Sequence, residues 1–129
     1  MRVFGIGLDV VEVERIASAI QRHGEPFLAR VFTSAERAYC ESHQHPALHY
    51  AARFAAKEAA SKALGTGIGQ HAGWLDLEIV HSPIGAPILK LHGAAAAFAA
   101  EHAVSEIQIS LTHARHYAAA NALALGPDP

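Results

Sequence analysis

Two acidic residues that are far apart in the sequence occupy positions from which they could bind a metal ion. Asp9 ends the strand-like segment 2–9, directly before a helical pattern, and Glu58 lies in a long alanine-rich helix. Two carboxylates are enough for Mg²⁺, which fills the rest of its octahedron with water and phosphate oxygens. Each residue also has a structural alternative: Asp9 could cap the following helix, and Glu58 could pair with Lys62 one turn later.

The helix that carries Glu58 also carries further cations and ends in glycines. Arg53 and Lys57 stand four residues apart, so their like charges share one helix face and favour an anion nearby. The exit loop consists of Gly65, Thr66, Gly67, Ile68 and Gly69. Glycines let backbone N–H groups approach an anion closely, but a glycine is also a common helix end, and the P-loop ending G-K-S/T is absent. The combined pattern favours a magnesium-dependent site for a phosphoanhydride.

The ten histidines do not form a zinc-binding pattern in the sequence. His45 and His49 are four residues apart, but Pro46 lies between them and no cysteine or carboxylate completes a set of ligands. We expect most histidines to be surface residues and keep His113, near the end of a strand in SLTHARHYA, as a ligand-binding candidate. The single cysteine, Cys40, excludes an internal disulfide, fits a reducing cytoplasm and is interpreted as structural.

The composition predicts one domain, residues 1–129, with neither nucleic-acid-binding nor membrane-spanning character. The formal net charge is −2 and the sequence pI is near 6.5, so no bulk basicity favours nucleic acid. Hydrophobic residues make up 51%, which indicates either an alanine-rich chain or a subunit interface. The most apolar run, HGAAAAFAAEHAV, is too short to span a bilayer, and no leader pattern follows Met1, so we expect a soluble cytoplasmic protein.

The periodicity predicts an α+β fold in which a mostly antiparallel sheet packs against the long helix. Strands are predicted over 2–9, 74–80, ILKLHG, 106–113 and YAAANALAL, and helices over 10–23, TSAERAYCESH, 46–64 and AAAAFAAEHA. Gly24 and Pro26 are expected to end the first helix, FLARVF to form a short link, and Thr33 or Ser34 to cap the next helix. Helices and strands do not alternate strictly, so we do not expect a doubly wound parallel sheet.

Two segments together resemble the paired motifs of the 4′-phosphopantetheinyl transferases. The segment GIGLDVVEVERI, residues 5–16, resembles a strand ending in G-x-D with an arginine six residues later. The segment RFAAKEAASKALGTGIG, residues 53–69, resembles the motif F-x-x-K-E-A-x-x-K-A. GAPILKL and ISLTHARHYAAA are similar to the family's later G-x-P strand and its S-x-S/T-H segment, so the likeness covers nearly the whole chain.

The resemblance implies transfer of 4′-phosphopantetheine from coenzyme A to a serine of apo-acyl carrier protein, with release of adenosine 3′,5′-bisphosphate. It implies that Asp9 and Glu58 bind Mg²⁺ and that Lys62 lies near the coenzyme A pyrophosphate. Coenzyme A would also meet Arg53, Gly65, Thr66, Gly67, Ile68 and, at its adenylate end, His113. Glu58 would take the serine proton, either directly or through a metal-bound water.

The resemblance also implies an oligomer and a protein partner. The resemblance to single-module members implies a homotrimer with sites at the subunit interfaces. The alanines of the long helix would then leave room for coenzyme A and a neighbouring subunit. Arg15 corresponds to the arginine that meets the acidic helix of the carrier protein, with Arg22 beside it, although Glu12 and Glu14 make this face less basic. A magnesium-dependent nucleotide-anhydride hydrolase and a non-catalytic coenzyme A-binding module remain alternatives.

Overall fold

The computed structural model describes all residues, 1–129, and contains five strands, five α-helices and one short 3-10 helix. The strands are β1 (Arg2–Glu12), β2 (Leu77–His81), β3 (Pro87–Leu91), β4 (Glu106–His113) and β5 (Tyr117–Gly126). The helices are α1 (Val13–His23), α2 (Glu25–Val31), α3 (Ser34–Glu41), α4 (Pro46–Leu64) and α5 (Gly93–Glu101), and the 3-10 turn spans Trp74–Asp76. The predicted α+β class is confirmed.

Every strand pair is antiparallel, as the sequence predicts. One sheet has the order β1-β5-β4, and β2 and β3 form a separate hairpin. Helix α4 lies across the three-stranded sheet and also contacts α1, α3 and β2. It is therefore the central element of the fold rather than a solvated surface helix.

Three local predictions differ from the structure. The strand predicted over 74–80 starts only at Leu77, because Trp74–Asp76 form the 3-10 turn. The first strand continues to Glu12 and α1 begins only at Val13, so Asp9 lies inside β1 and does not cap a helix. The segment FLARVF is not a link, because most of it belongs to α2, which has a proline in its first turn. A proline is compatible with the first turn, where its missing N–H has no helical acceptor. Gly24 does separate the two helices, with a positive φ of 57°.

The predicted cap of α3 is confirmed and belongs to a larger buried network. The Thr33 hydroxyl accepts a hydrogen bond from the Glu36 N–H, and the Thr33 N–H donates to Oε1 of Glu36 at 2.8 Å. Glu36 and Lys57 form a fully buried ion pair at 2.8 Å. The Lys57 ammonium also donates to the carbonyls of Trp74 and Leu77, at 2.9 and 2.6 Å. This network joins α3, α4 and the start of β2.

The alanine content is explained mainly by the interior of the chain. The inward residues of β5 before Gly126 are all alanines, at 0–3% exposure, and the alanines of α4 that face the sheet are equally buried; they are Ala118, Ala120, Ala122 and Ala124, and Ala55, Ala56, Ala59, Ala60 and Ala63. The expectation that the α4 alanines leave room for a ligand and a second subunit is therefore wrong, since the chain's own sheet fills that space. No helix of the protein is both long and apolar enough to cross a membrane.

Candidate active site

Helix α4 lies unusually close to β1 because the strand presents glycines to it. Gly5 and Gly7 face α4, and a Cβ on either residue would collide with the backbone carbonyl of Ala63 or Ala59. Asp9 is the next residue on the same face of the strand, since side chains alternate between the two faces. The close helix–strand contact therefore brings the Asp9 carboxylate beside the flank of α4 that carries Glu58 and Lys62.

Lys62 pairs with Asp9 and not with Glu58. Its ammonium lies 3.3 Å from Oδ1 of Asp9 and donates to the carbonyl of Leu8 at 3.0 Å. The Lys62 side chain is half exposed, whereas that of Asp9 is 19% exposed. The helix pair between Glu58 and Lys62, which was the structural alternative for both residues, is not formed, so Glu58 has no cationic side chain within ion-pair distance.

The environment of Glu58 disfavours its ionised form. Burial raises the pKa of the Glu58 carboxyl, and the nearby Asp9 carboxylate raises it further, against the opposing effects of Lys62 and Arg15. A carboxyl group whose pKa is raised by a neighbouring carboxylate marks a favourable place for a cation. The effect of Arg15 on the Glu58 pKa also shows that this arginine of α1 lies within electrostatic reach of the two carboxylates.

The donor set fits Mg²⁺ only if a substrate completes it. No group of three or more histidine, cysteine, aspartate or glutamate side chains is arranged to hold a metal ion. Asp9 and Glu58 supply hard oxygen donors, and Mg²⁺ commonly uses one or two carboxylates together with waters and phosphate oxygens. The residues present therefore fit a magnesium ion that is shared with a phosphate-bearing ligand.

The glycine loop after α4 forms a helix end whose N–H groups are mostly occupied. Gly65 and Gly67 have positive φ values of 82° and 65°. The N–H groups of Gly65, Thr66 and Gly67 donate to the carbonyls of Lys62 and Ser61, and that of Gly69 donates to Ala72. Among residues 65–69 only Ile68 has an N–H without a backbone acceptor, so the loop offers an anion one free N–H rather than several.

Arg53 and His113 lie together, but on the other flank of α4. They line one pocket of about 170 Å³ together with Tyr39, His49 and His81. Glu58 is five positions after Arg53, which places the two side chains about 140° apart around a helix that turns about 100° per residue. Arg53 faces α3 and β2, whereas Glu58 and Lys62 face β1. The structure thus divides the predicted site residues of one chain between two separate surfaces.

The two cations that share a helix face have different environments. Lys57 has its own anionic partner, Glu36, and burial lowers the pKa of the lysine against the effect of that carboxylate. Arg53 is 3% exposed and has no carboxylate partner. Its Nη1 donates to the carbonyl of His49 at 3.3 Å, its Nη2 lies 3.0 Å from Nε2 of His81, and its Nε has no partner. Only Arg53 still lacks an anion.

Arg15 and Arg22 are exposed on α1 and line one open depression of about 570 Å³. Glu12 and Glu14 line the same depression, so the mixed charge expected from the sequence is present. Sequence analysis missed the clustering of histidines around Arg53 and the pairing of Glu36 with Lys57. Neither contact has a local pattern, because both join residues from elements that are distant in sequence.

The outer face of β1, at the edge of the three-stranded sheet, is apolar and uncovered. Ile6, Leu8 and Val10 of β1 are 73%, 64% and 59% exposed. In the neighbouring strand they oppose Leu123, Asn121 and Ala119. A contiguous row of large apolar side chains on a sheet face is typical of a protein–protein contact.

Comparison with known proteins identifies the family of the chain. Residues 5–122 match the family model of the 4′-phosphopantetheinyl transferase superfamily. A holo-[acyl-carrier-protein] synthase of Moorella thermoacetica is 49% identical over 117 residues, which cover 91% of this chain and 90% of that protein. The crystal structure of the Neisseria meningitidis holo-[acyl-carrier-protein] synthase has a TM-score of 0.90 at 30% identity and covers 96% of this chain and 99% of its own. The Helicobacter pylori synthase, solved in complex with coenzyme A, has a TM-score of 0.83 at 31% identity, covering 93% and 99%.

The chain therefore belongs to the 4′-phosphopantetheinyl transferase superfamily. It is a transferase of that superfamily, and its sequence and fold are similar to those of holo-[acyl-carrier-protein] synthases.

Proposed function

We propose that the protein transfers 4′-phosphopantetheine from coenzyme A to a serine of an apo-acyl carrier protein, in a Mg²⁺-dependent reaction that releases adenosine 3′,5′-bisphosphate. The observation that carries this proposal is the placement of Asp9, Glu58 and Lys62 on one surface by the close packing of α4 on β1. Two carboxylates with an ammonium beside them suit a pyrophosphate and its metal ion, because the charges can be balanced only when both are bound.

The residues of this surface have distinct tasks in the proposed reaction. Asp9 and Glu58 would hold the Mg²⁺, which supplies Lewis-acid stabilisation of charge on the phosphate oxygens. Lys62, which is half exposed and loosely held, can leave Asp9 and contact the leaving phosphate. Glu58 would also take the proton of the attacking serine hydroxyl, because a carboxylate can act as the general base for a hydroxyl nucleophile.

The second anionic group of coenzyme A, a phosphomonoester at its adenylate end, suits the surface around Arg53 and His113. The buried guanidinium of Arg53 lacks an anionic partner and has one unpaired N–H. The pocket lies on the other flank of α4 from Glu58, so we propose that one coenzyme A molecule uses Glu58 of one subunit and Arg53 of the next. The loop residues Gly65, Thr66, Gly67 and Ile68, which follow Lys62, would contact the same ligand.

A homotrimer provides such shared sites, and the uncovered apolar face of the sheet supplies a surface for it. Ile6, Leu8 and Val10 would be buried between subunits, which accounts for their exposure in one chain. The partner that receives the phosphopantetheine would dock on α1. Arg15 and Arg22 are exposed there, and Arg15 lies within electrostatic reach of Glu58, so a bound carrier would deliver its serine close to the carboxylates.

The test is to incubate the protein with apo-acyl carrier protein, coenzyme A and Mg²⁺ and to weigh the carrier by mass spectrometry. The expected result is a carrier heavier by one phosphopantetheine group and an equal amount of adenosine 3′,5′-bisphosphate. Release of adenosine bisphosphate without modification of the carrier would instead assign a hydrolase. Binding of coenzyme A without either product would assign a non-catalytic module, and omission of Mg²⁺ with no loss of rate would contradict the metal role of Asp9 and Glu58.

A further inference from the structure

Four histidines from three parts of the chain surround Arg53. We call this the histidine pocket and define it by Tyr39, His43, His49, Arg53, His81 and His113. The rings of His43 and His49 have centroids 3.9 Å apart, and those of His49 and His113 are 5.4 Å apart. Tyr39 stacks on His81 with ring centroids 4.2 Å apart, and the Arg53 guanidinium lies over the Tyr39 ring, 4.1 Å from its centroid.

The histidine pocket contains positive charge without a compensating anion. Arg53 is almost fully buried, and the pocket wall contains no carboxylate; its remaining lining residues are Ala52, Pro87 and Leu111. A buried cation without a counter-ion is unfavourable unless a ligand supplies one. Because the Nε of Arg53 also lacks an acceptor, the pocket is suited to an anion that carries several oxygen atoms.

Burial and the neighbouring positive charge both disfavour the protonated forms of His49 and His81. Burial lowers the pKa of His49 to about 4, assisted by His43, Arg53 and His113. Burial lowers the pKa of His81 as well, assisted by Arg53 and His43. The other titratable groups at this position are Tyr39 and Cys40 of α3. Burial raises the pKa of Cys40 to about 12, so its thiol supplies no negative charge near pH 7.

We propose that the histidine pocket takes up a proton when it binds the phosphomonoester of coenzyme A, so that the affinity for coenzyme A rises as the pH falls. The dianionic phosphate opposes the burial and the repulsion that disfavour protonation of His49 and His81, and the cluster then holds a proton between its rings and the phosphate oxygens. By linkage, uptake of one proton changes the dissociation constant about tenfold per pH unit. This inference rests on the proposed function and adds a proton to its binding step.

The experiment is titration calorimetry of the intact protein with coenzyme A, in the presence of Mg²⁺, between pH 7 and pH 8. A phosphomonoester has its second pKa near about 6, so the ligand itself stays mostly dianionic in this range. Titrations in buffers of different ionisation enthalpy give the number of protons taken up. We expect about half a proton or more with coenzyme A, a dissociation constant about threefold or more lower at pH 7 than at pH 8, and no uptake with dephospho-coenzyme A, which lacks the phosphomonoester.

Single variants identify the proton acceptor. His43→Gln, His49→Gln, His81→Gln and His113→Gln are compared with His23→Gln, an exposed histidine at the end of α1 outside the pocket. At least one pocket variant should lower the uptake by half, and His23→Gln should leave it unchanged. Coenzyme A binding without proton uptake, equal uptake with both ligands, or no effect of any pocket variant would overturn the proton linkage while leaving the proposed function intact. Absence of coenzyme A binding would instead overturn the proposed function, and this inference with it.

Discussion

The chemistry proposed for this protein depends on two carboxylates whose charges are not balanced within the chain. Glu58 is partly buried beside Asp9 and has no cationic side chain within ion-pair distance. Lys62 forms an ion pair with Asp9 only. The arrangement stabilises the folded chain little and becomes favourable when a cation and a phosphate arrive. Unbalanced charge of this kind is typical of a functional site, since a structural ion pair would be satisfied without a ligand.

Removal of either carboxylate should therefore affect catalysis far more than stability. We expect Asp9→Asn and Glu58→Gln to lower the rate of transfer by about a hundredfold or more, because charge stabilisation of phosphoryl transfer is lost. Mn²⁺ binding, followed by electron paramagnetic resonance in the presence of coenzyme A, should weaken in parallel, and the melting temperature should not fall. Glu101→Gln, at an exposed position at the end of α5, is the matched control. Near-normal rates in either active-site variant would remove these residues from the mechanism.

The candidate residues were predictable to the extent that their partners are local or their chemistry is distinctive. Asp9 and Glu58 are singled out by residue type and by the family motif, and the structure brings them together. The environment of Arg53 was not predictable, because its neighbours come from α3, β2 and β4, which no spacing rule connects. The interpretation of Lys57 as part of an anion-binding face failed for the same reason, since its counter-ion, Glu36, lies on a different helix.

At the scale of elements, the site depends on the contact between α4 and β1. Glycines on the strand and alanines on the helix remove the side chains that would hold the two apart. The long helix was predicted with the bounds that the structure shows, because an N-terminal proline and a following glycine mark its ends. The end of β1 was predicted three residues too early, since the helical spacing of apolar residues already begins inside the strand.

Substitution of Gly7 should separate α4 from β1 and disturb the site. In Gly7→Ala the new Cβ would meet the carbonyl of Ala59, which is part of the helix backbone and cannot rotate away. We expect a loss of about 1–3 kcal/mol in the free energy of unfolding, the range for overpacked cores, together with reduced transfer. Thermal unfolding and the carrier assay measure the two effects. Gly69→Ala, which has open space around its Cβ, is the stability control, and equal melting temperatures for the two variants would contradict this account.

At the scale of the whole molecule, the two halves of the proposed site face different directions. Glu58 and Lys62 lie on the flank of α4 beside β1, and Arg53 and His113 lie on the flank beside β2 and β4. The apolar composition has two sources: alanines inside the chain and the exposed row Ile6, Leu8 and Val10 outside it. The apolar composition indicated both sources but could not show which residues belong to each. Residues buried against a neighbouring subunit and residues buried in the core have the same apolar sequence pattern. A shared site is the arrangement that unites these observations.

Subunit complementation tests the shared site most directly. Glu58→Gln and Arg53→Gln each leave one half of every site intact, and each variant alone should have little transfer activity. Unfolded together and refolded as a one-to-one mixture, random trimers should contain about a quarter of interfaces with both halves intact. The account predicts recovery of about a quarter of the wild-type rate of phosphopantetheine transfer, measured by mass spectrometry of the carrier. A mixture no more active than the two separate variants would contradict it.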